Sequence, residues 1–198
     1  MANDDPYLEI TTTCDPGFDR PEMQSISITA RLEDGTEVCT LEALRWAQAD
    51  FELTDAHYLH NAFDDHSAFA ASLSGDICRQ RRALAKRHDS RLVIASGFIG
   101  IITIKTPPDA RGHRYGIRLI QHLKLLHAGM TWYAGLQAAP LETEHETAAY
   151  RRMRARLIAY YRSDGDLGFE QVAPRLSPSL LTALWDQELT AFDVPGVN

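Results

Sequence analysis

Thr106-Pro107-Pro108-Asp109-Ala110-Arg111-Gly112-His113-Arg114-Tyr115-Gly116-Ile117 is the stretch on which the fold turns. It separates a dense apolar run, Arg91 to Lys105, from a well-patterned helical segment, Gly116 to Ala128. The apolar run reads as a central strand covered on both faces. Its interior glycines, Gly97 and Gly100, predict a bulge, a bend or a close backbone approach. The helical segment carries Ile117, Ile120, Leu123 and Leu126 on one side, with Gly129 as a natural C-cap. A loop between strand and helix offers unpaired N–H groups and the positive end of a helix dipole. Such a turn holds phosphate without specialised side chains. Arg111, Arg114 and Arg118 would add charge-assisted donors. The bland reading is a loop of solvated arginines, and on local physics the two stand level.

Upstream, Ile26, Ile28, Ala30 and Leu32 alternate strictly, Asp34-Gly35 signals a tight turn, and Thr36 to Leu44 reads as the return strand. Before them, Tyr7 to Ile10 is a single short alternating segment. Thr54 can cap a helix from Asp55, carried by Leu59, Phe63, Ala70, Leu73 and Ile77 and broken near Ser74-Gly75. A basic helical stretch, Cys78 to Arg87, follows.

Downstream, Met130 to Leu136 is a short strand. Thr143-Glu144-His145-Glu146 forms a capping box for a helix bearing Tyr150, Met153, Leu157, Tyr160 and Tyr161. Gly168 to Ala173 suggests a strand, and Ser177-Pro178 caps a final helix with Leu181, Leu184 and Trp185. Strand, helix, strand, helix, strand from residue 91 implies an α/β pattern around a partly parallel sheet. The hairpin adds antiparallel strands. The pattern therefore predicts an α/β fold around a mixed sheet, with a long helical segment between the hairpin and the central strand. The length, 198 residues, suits one domain. Within it, 1–90 would be the hairpin and helical segment, 91–173 the core, and 174–198 a C-terminal helix.

The loop resembles the acetyl-CoA motif of the GNAT superfamily of N-acetyltransferases, V-x-P-x-x-R-G-x-G-x-G/A-x-x-L. This chain has Thr106-x-Pro108-x-x-Arg111-Gly112-x-Arg114-x-Gly116-x-x-Leu119. Arg114 stands at the family's middle glycine; its N–H can still serve, at the risk of an unfavourable φ or a clash with pyrophosphate. The family then continues with a strand and a helix ending A-x-x-x-Y-x-x-x-G-F. Here Tyr161 to Gly165 fits Y-x-x-x-G, and Gly168-Phe169 fits G-F with three residues inserted. The family's asparagine after the second strand is not evident. The resemblance spans roughly residues 91–173 and implies a GNAT-like α/β (α+β) fold: a mixed, mostly antiparallel central sheet flanked by helices, with a helical segment inserted before the central strand.

It implies an acyltransferase using acetyl-CoA as co-substrate, no metal, and an amine acceptor attacking the thioester directly. The backbone of Ile104, Lys105 and Thr106 would meet the pantetheine arm. N–H groups across Arg111, Gly112, His113, Arg114, Tyr115, Gly116 and Ile117 would hold the pyrophosphate. Tyr161, or less favourably Tyr160, would be the general acid for the departing thiolate. The bland reading of the tyrosine pair is helix packing. The general base is unassigned among Asp109, His113, Glu142 and His145.

The net charge of −7 argues against a nucleic-acid binder until it is divided along the chain. Residues 79–162 carry a net +11 and the remainder −18. The basic middle coincides with the segment that resembles the CoA-binding half, so an anionic cofactor fits it. One basic run, Arg79 to Arg82 or Arg151 to Arg156, could approach the 3′-phosphate of CoA. The alternative is a non-catalytic GNAT-like module that binds nucleic acid or a protein through 79–162. Poor interleaving of aromatics disfavours nucleic acid. A homodimer is compatible with either reading.

Cys14, Cys39 and Cys78 are odd in number and widely spaced, which fits unpaired thiols and a reducing, cytoplasmic setting. The acidic start is unlike a signal peptide, and the longest apolar stretch is too short to span a bilayer. His57-x-x-His60 with Asp64, Asp65 and His66 reads as a solvated helix face rather than a metal site. There is no G-x-S-x-G and no phosphate-loop lysine.

Overall fold

The computed structural model describes residues 7–16, 22–47, 60, 61, 63, 64, 66–88, 95–140 and 147–186. Its strands are β1 (Glu9–Pro16), β2 (Met23–Arg31), β3 (Glu37–Ala47), β4 (Gly97–Lys105), β5 (Thr131–Gln137) and β6 (Leu180–Asp186). The helices are α1 (Ala68–His88), α2 (Tyr115–Leu126) and α3 (Ala148–Arg162). The strands form one sheet in chain order, β1-β2-β3-β4-β5-β6. Neighbours are antiparallel except β4 and β5, which run parallel. A parallel pair cannot be joined by a hairpin, and α2 supplies the crossover. The architecture is α+β around a mixed sheet.

Each face of the sheet has its own core. On one, Ile28, Ile99, Ile101 and Leu136 pack with Ile117, Ile120 and Leu123 of α2 and with Tyr161 of α3. On the other, Leu44, Trp46, Phe98 and Tyr133 pack with Ala70, Leu73, Ile77 and Leu84 of α1. Fully burying one such side chain stabilises the fold by about 1.5–3 kcal/mol, so both cores matter. Helix α1 packs on β4, β5 and β6. The early strands meet α2 on the opposite face.

The glycines of β4 mark close approach, as their pattern predicts. A Cβ on Gly97, at φ +147°, would lie 2.0 Å from the Trp46 carbonyl oxygen. Gly100 pairs with Gly135 across β4 and β5. A Cβ on Gly100 would lie 2.7 Å from a Phe63 ring carbon.

Several expectations are corrected. Leu180–Asp186 is a strand, not a helix, and Gly168 to Ala173 contributes only a bridge from Glu170 to Thr182. Leu181, Leu184 and Trp185 have helical spacing, but a short, continuously buried run satisfies either period. Helix α1 passes unbroken through Ser74-Gly75. A glycine in a helix costs about 1 kcal/mol, less than one buried leucine returns. This helix starts afresh at Ala68, where the Ser67 hydroxyl accepts from the Ala70 N–H. The proposed Thr54 cap lies outside the described residues, as do the Thr143–Glu146 capping box and Arg91 to Ile94. The observed N-cap of α3 is Thr147, whose hydroxyl accepts from the Tyr150 N–H at 3.0 Å. Strand β1 extends well beyond Ile10; its Thr-rich, largely exposed edge carries little hydrophobic signal. Helix α2 ends at Leu126, with Gly129 (φ +87°) two residues beyond the cap at His127.

Candidate functional site

β4 and β5 pair only from Phe98↔Tyr133 to Ile101↔Leu136. β4 then runs on to Lys105, still paired with β3 on its other side. Opposite the divergence, Glu42 pairs with Thr103 and Ala43 with Ile101, so Ile102 is an extra residue in β4. A bulge bends and twists its strand, which separates the end of β4 from β5. The backbone beyond Ile101 therefore has no ladder partner on the β5 side. A narrow cavity of about 40 Å³ occupies the gap, lined by Ile101 to Ile104, Leu136 to Ala139, Leu157 and Tyr161.

The loop Thr106 to Arg114 leaves β4 at the mouth of this slot. Pro108–Ala110 makes one 3₁₀ turn, closed by the Ala110 N–H on the Pro107 carbonyl at 3.0 Å. Arg111 donates through Nε to the Thr106 carbonyl at 3.3 Å. The Thr106 hydroxyl lies 3.3 Å from the buried Cys39 thiol, whose pKa burial raises. Burial thus favours the protonated thiol, the less nucleophilic form. Gly112 has φ +97° and Arg114 φ +59°. Among the described residues, the N–H groups of Gly112, His113, Arg114, Tyr115 and Gly116 make no hydrogen bond. They sit at the positive end of α2, whose N-cap, Arg114, adds no side-chain cap. The exposed His113 ring stacks on buried Tyr115 at 5.4 Å.

Arg114 holds the left-handed backbone that glycine would adopt freely. That conformation costs an L-residue about 1–2 kcal/mol. Its guanidinium reaches Asp164 Oδ2 at 3.2 Å. The same carboxylate accepts from Gln121 at 3.1 Å and from the Leu167 N–H at 3.3 Å. Asp164 therefore ties the start of α2 to the turn after α3.

The two tyrosines divide. The Tyr160 hydroxyl accepts from the Ile117 N–H at 3.3 Å, satisfying one donor at the start of α2. Gly116 permits this approach: a Cβ there would sit 3.2 Å from Ile104 and 3.5 Å from the Tyr160 hydroxyl. Burial raises the Tyr160 pKa, partly offset by that N–H. Tyr161 lines the slot between β4 and β5 and is 8% exposed. Its hydroxyl makes no hydrogen bond among the described residues. Burial raises its pKa strongly, so it stands in the slot as a protonated phenol.

Every predicted cofactor residue thus falls within one region. Ile104 and Thr106 are half-buried and Lys105 exposed along the end of β4, and residues 111–117 form the loop and first helical turn. Of the residues offered as a base, Asp109 and His113 are exposed on the loop. Glu142 and His145 lie outside the described residues, as does His57. His60 bonds the Ser74 hydroxyl at 3.0 Å. No group of three or more His, Cys, Asp or Glu side chains could hold a metal among the described residues. No described helix is long and apolar enough to cross a membrane.

Sequence reasoning missed Asp164, Cys39 and Ile102, and the cavity on the other face of the sheet. That cavity, about 540 Å³, lies near the start of α1 and is lined in part by Ser27, Glu42, Phe69, Ile102 and Lys105. Ile102 and Thr103 line both it and the slot. Glu42 lines that cavity, and the bulge at Ile102 across from it leaves no mark in composition. Neither a scan against models of protein families nor a search of curated proteins found a match for this chain.

Proposed function

We propose that the protein is an acyl-CoA-dependent N-acyltransferase of the GNAT type, transferring acetyl from acetyl-CoA to an amine. The observation that carries this reading is the divergence of β4 and β5 beyond Ile101, with the unpaired N–H groups of residues 112–116 at its mouth and Tyr161 in its wall. An extended pantetheine arm can hydrogen-bond to a strand that has lost its neighbour. The pyrophosphate suits the N–H cluster and helix dipole, with Arg111 and Arg118 at hand. Backbone N–H groups of β4 on the side from which β5 has diverged would polarise the thioester carbonyl. The slot then serves to hold the thioester in attack geometry. Tyr161, as a phenol, donates a hydrogen bond to the departing sulfur.

Arg114 in place of glycine motivated the non-catalytic alternative. Here it takes the backbone conformation a glycine would take, and its side chain is drawn to Asp164. That substitution therefore does not favour the alternative.

Thermal unfolding with acetyl-CoA tests the reading. A ligand at 100 times its dissociation constant stabilises the fold by about 2.7 kcal/mol. No shift with any acyl-CoA at millimolar concentration would overturn the proposal.

A further inference from the structure

The sheet face opposite α2 and α3 carries the 540 Å³ cavity, beside the start of α1. Its apolar wall is Leu44, Ile102 and the exposed ring of Phe69. Its titratable groups are Asp15 on β1, Glu42 on β3, His66 before α1 and Lys105 at the end of β4. The two carboxylates outnumber the one lysine. Glu42 makes no hydrogen bond or ion pair with its side chain among the described residues. It pairs across the ladder with Thr103, next to the extra residue Ile102. Those two residues, Ile102 and Thr103, also line the slot between β4 and β5. The cavity and the slot therefore meet at the bulge, one on each side of the same two residues. Direct transfer requires such a meeting, because donor and acceptor must come within about 3–3.5 Å.

We infer that this cavity is the acceptor site, that it takes a primary ammonium carried on an apolar body, and that Glu42 is the base that deprotonates it. The inference rests on the acyltransferase reading above. The ammonium sits at Glu42, and the apolar body lies against Phe69, Ile102 and Leu44. Glu42 takes one proton and passes it to solvent, leaving a neutral amine. The nitrogen lone pair forms the C–N bond at the thioester carbonyl, the C–S bond breaks, and its electron pair leaves on sulfur. The second amine proton ends on that sulfur as the free thiol of CoA, relayed by the Tyr161 hydroxyl. The products are the amide, CoA and one proton.

The test uses the full chain with acetyl-CoA and 2-phenylethylamine, following thiol release, with thermal unfolding by acetyl-CoA as a separate readout. The expected result is turnover of 2-phenylethylamine and none of 3-phenylpropionate. Glu42→Gln should lower kcat/KM at least about 100-fold, the scale of positioned proton transfer. Ser27→Phe, which fills the cavity, should abolish turnover, and Phe69→Ala should raise KM. All three variants should keep the wild-type shift with acetyl-CoA, which also shows that they fold. Turnover unchanged in Glu42→Gln and Ser27→Phe, or no turnover by a wild-type protein that binds acetyl-CoA, overturns the acceptor assignment alone. Absence of any acetyl-CoA shift overturns the parent reading and this inference with it.

Discussion

Asp164 is the residue on which the loop conformation depends. It receives Arg114, Gln121 and the Leu167 N–H, and is itself only half-buried. Asp164→Ala leaves all three donors without this acceptor, and unfolding in urea should show a loss of about 1–3 kcal/mol. Arg114→Gly relieves the left-handed strain and loses an ion pair whose arginine is half-exposed, while Asp164 keeps Gln121 and the Leu167 N–H; the pair is worth about 1 kcal/mol. The two effects oppose, so its stability should stay within about 1 kcal/mol of wild type. The adjacent tyrosines separate in the same way. Tyr160→Phe leaves the Ile117 N–H without its acceptor and should cost about 0.5–1.5 kcal/mol of stability. Tyr161→Phe removes a hydroxyl with no such partner among the described residues; under the proposed acyltransferase function, turnover should fall about 10–100-fold while the acetyl-CoA shift persists. Equal behaviour of the two variants would contradict this division.

At the scale of elements, β4 decides the site. Its first half is locked to β3, β5 and α1 through glycines, and its second half is released from β5 by the bulge. Gly100→Ala forces Phe63 aside and should destabilise by about 1–3 kcal/mol, read from chemical denaturation. Gly97→Ala meets a carbonyl oxygen rather than a movable ring, so its loss should be the larger. Pattern reading worked best here for the β2–β3 hairpin and for α2. Each buries one face, so period 2 and period 3.6 are written plainly in the residues. It failed for β6 and for the break in α1. Leu180 to Trp185 is buried on both faces and has no polar side to set a period. Ser74 and Gly75 look like a stop until Ser74 is seen bonded to the Ala71 carbonyl and to His60.

Across the whole molecule, charge and titration join distant segments. The basic middle of the chain is partly neutralised within the fold: Arg79 pairs with Asp76, Arg87 with Glu170 and Arg114 with Asp164. Each of those acids lies outside residues 79–162, so less than the full +11 remains for a ligand. Two histidines on the inner side of α2 and just after it, His122 and His127, have pKa values lowered by burial. Their neutral forms are favoured by folding, and the unfolded chain binds more protons. This contribution is complete above the ordinary imidazole value of about 6.5 and is lost as pH falls from there toward the lowered values. The melting temperature should therefore drop between pH 7 and pH 5, and less steeply in a His122→Gln, His127→Gln variant. An unchanged slope would assign the drop to other groups.

The residues alone determined the hairpin, the crossover helix and the mixed character of the sheet, because each rests on local periodicity and turn chemistry. They also marked the loop Thr106 to Ile117, since a glycine-containing turn before a helix can be read from a dozen residues. Only the tertiary structure decided that Tyr160 serves the start of α2 while Tyr161 faces the slot, that Asp164 holds Arg114, and that Glu42 and Ile102 meet at the bulge. These are relations between segments 40 or more residues apart. They follow from strand register and from which face each element buries, and no local pattern encodes either.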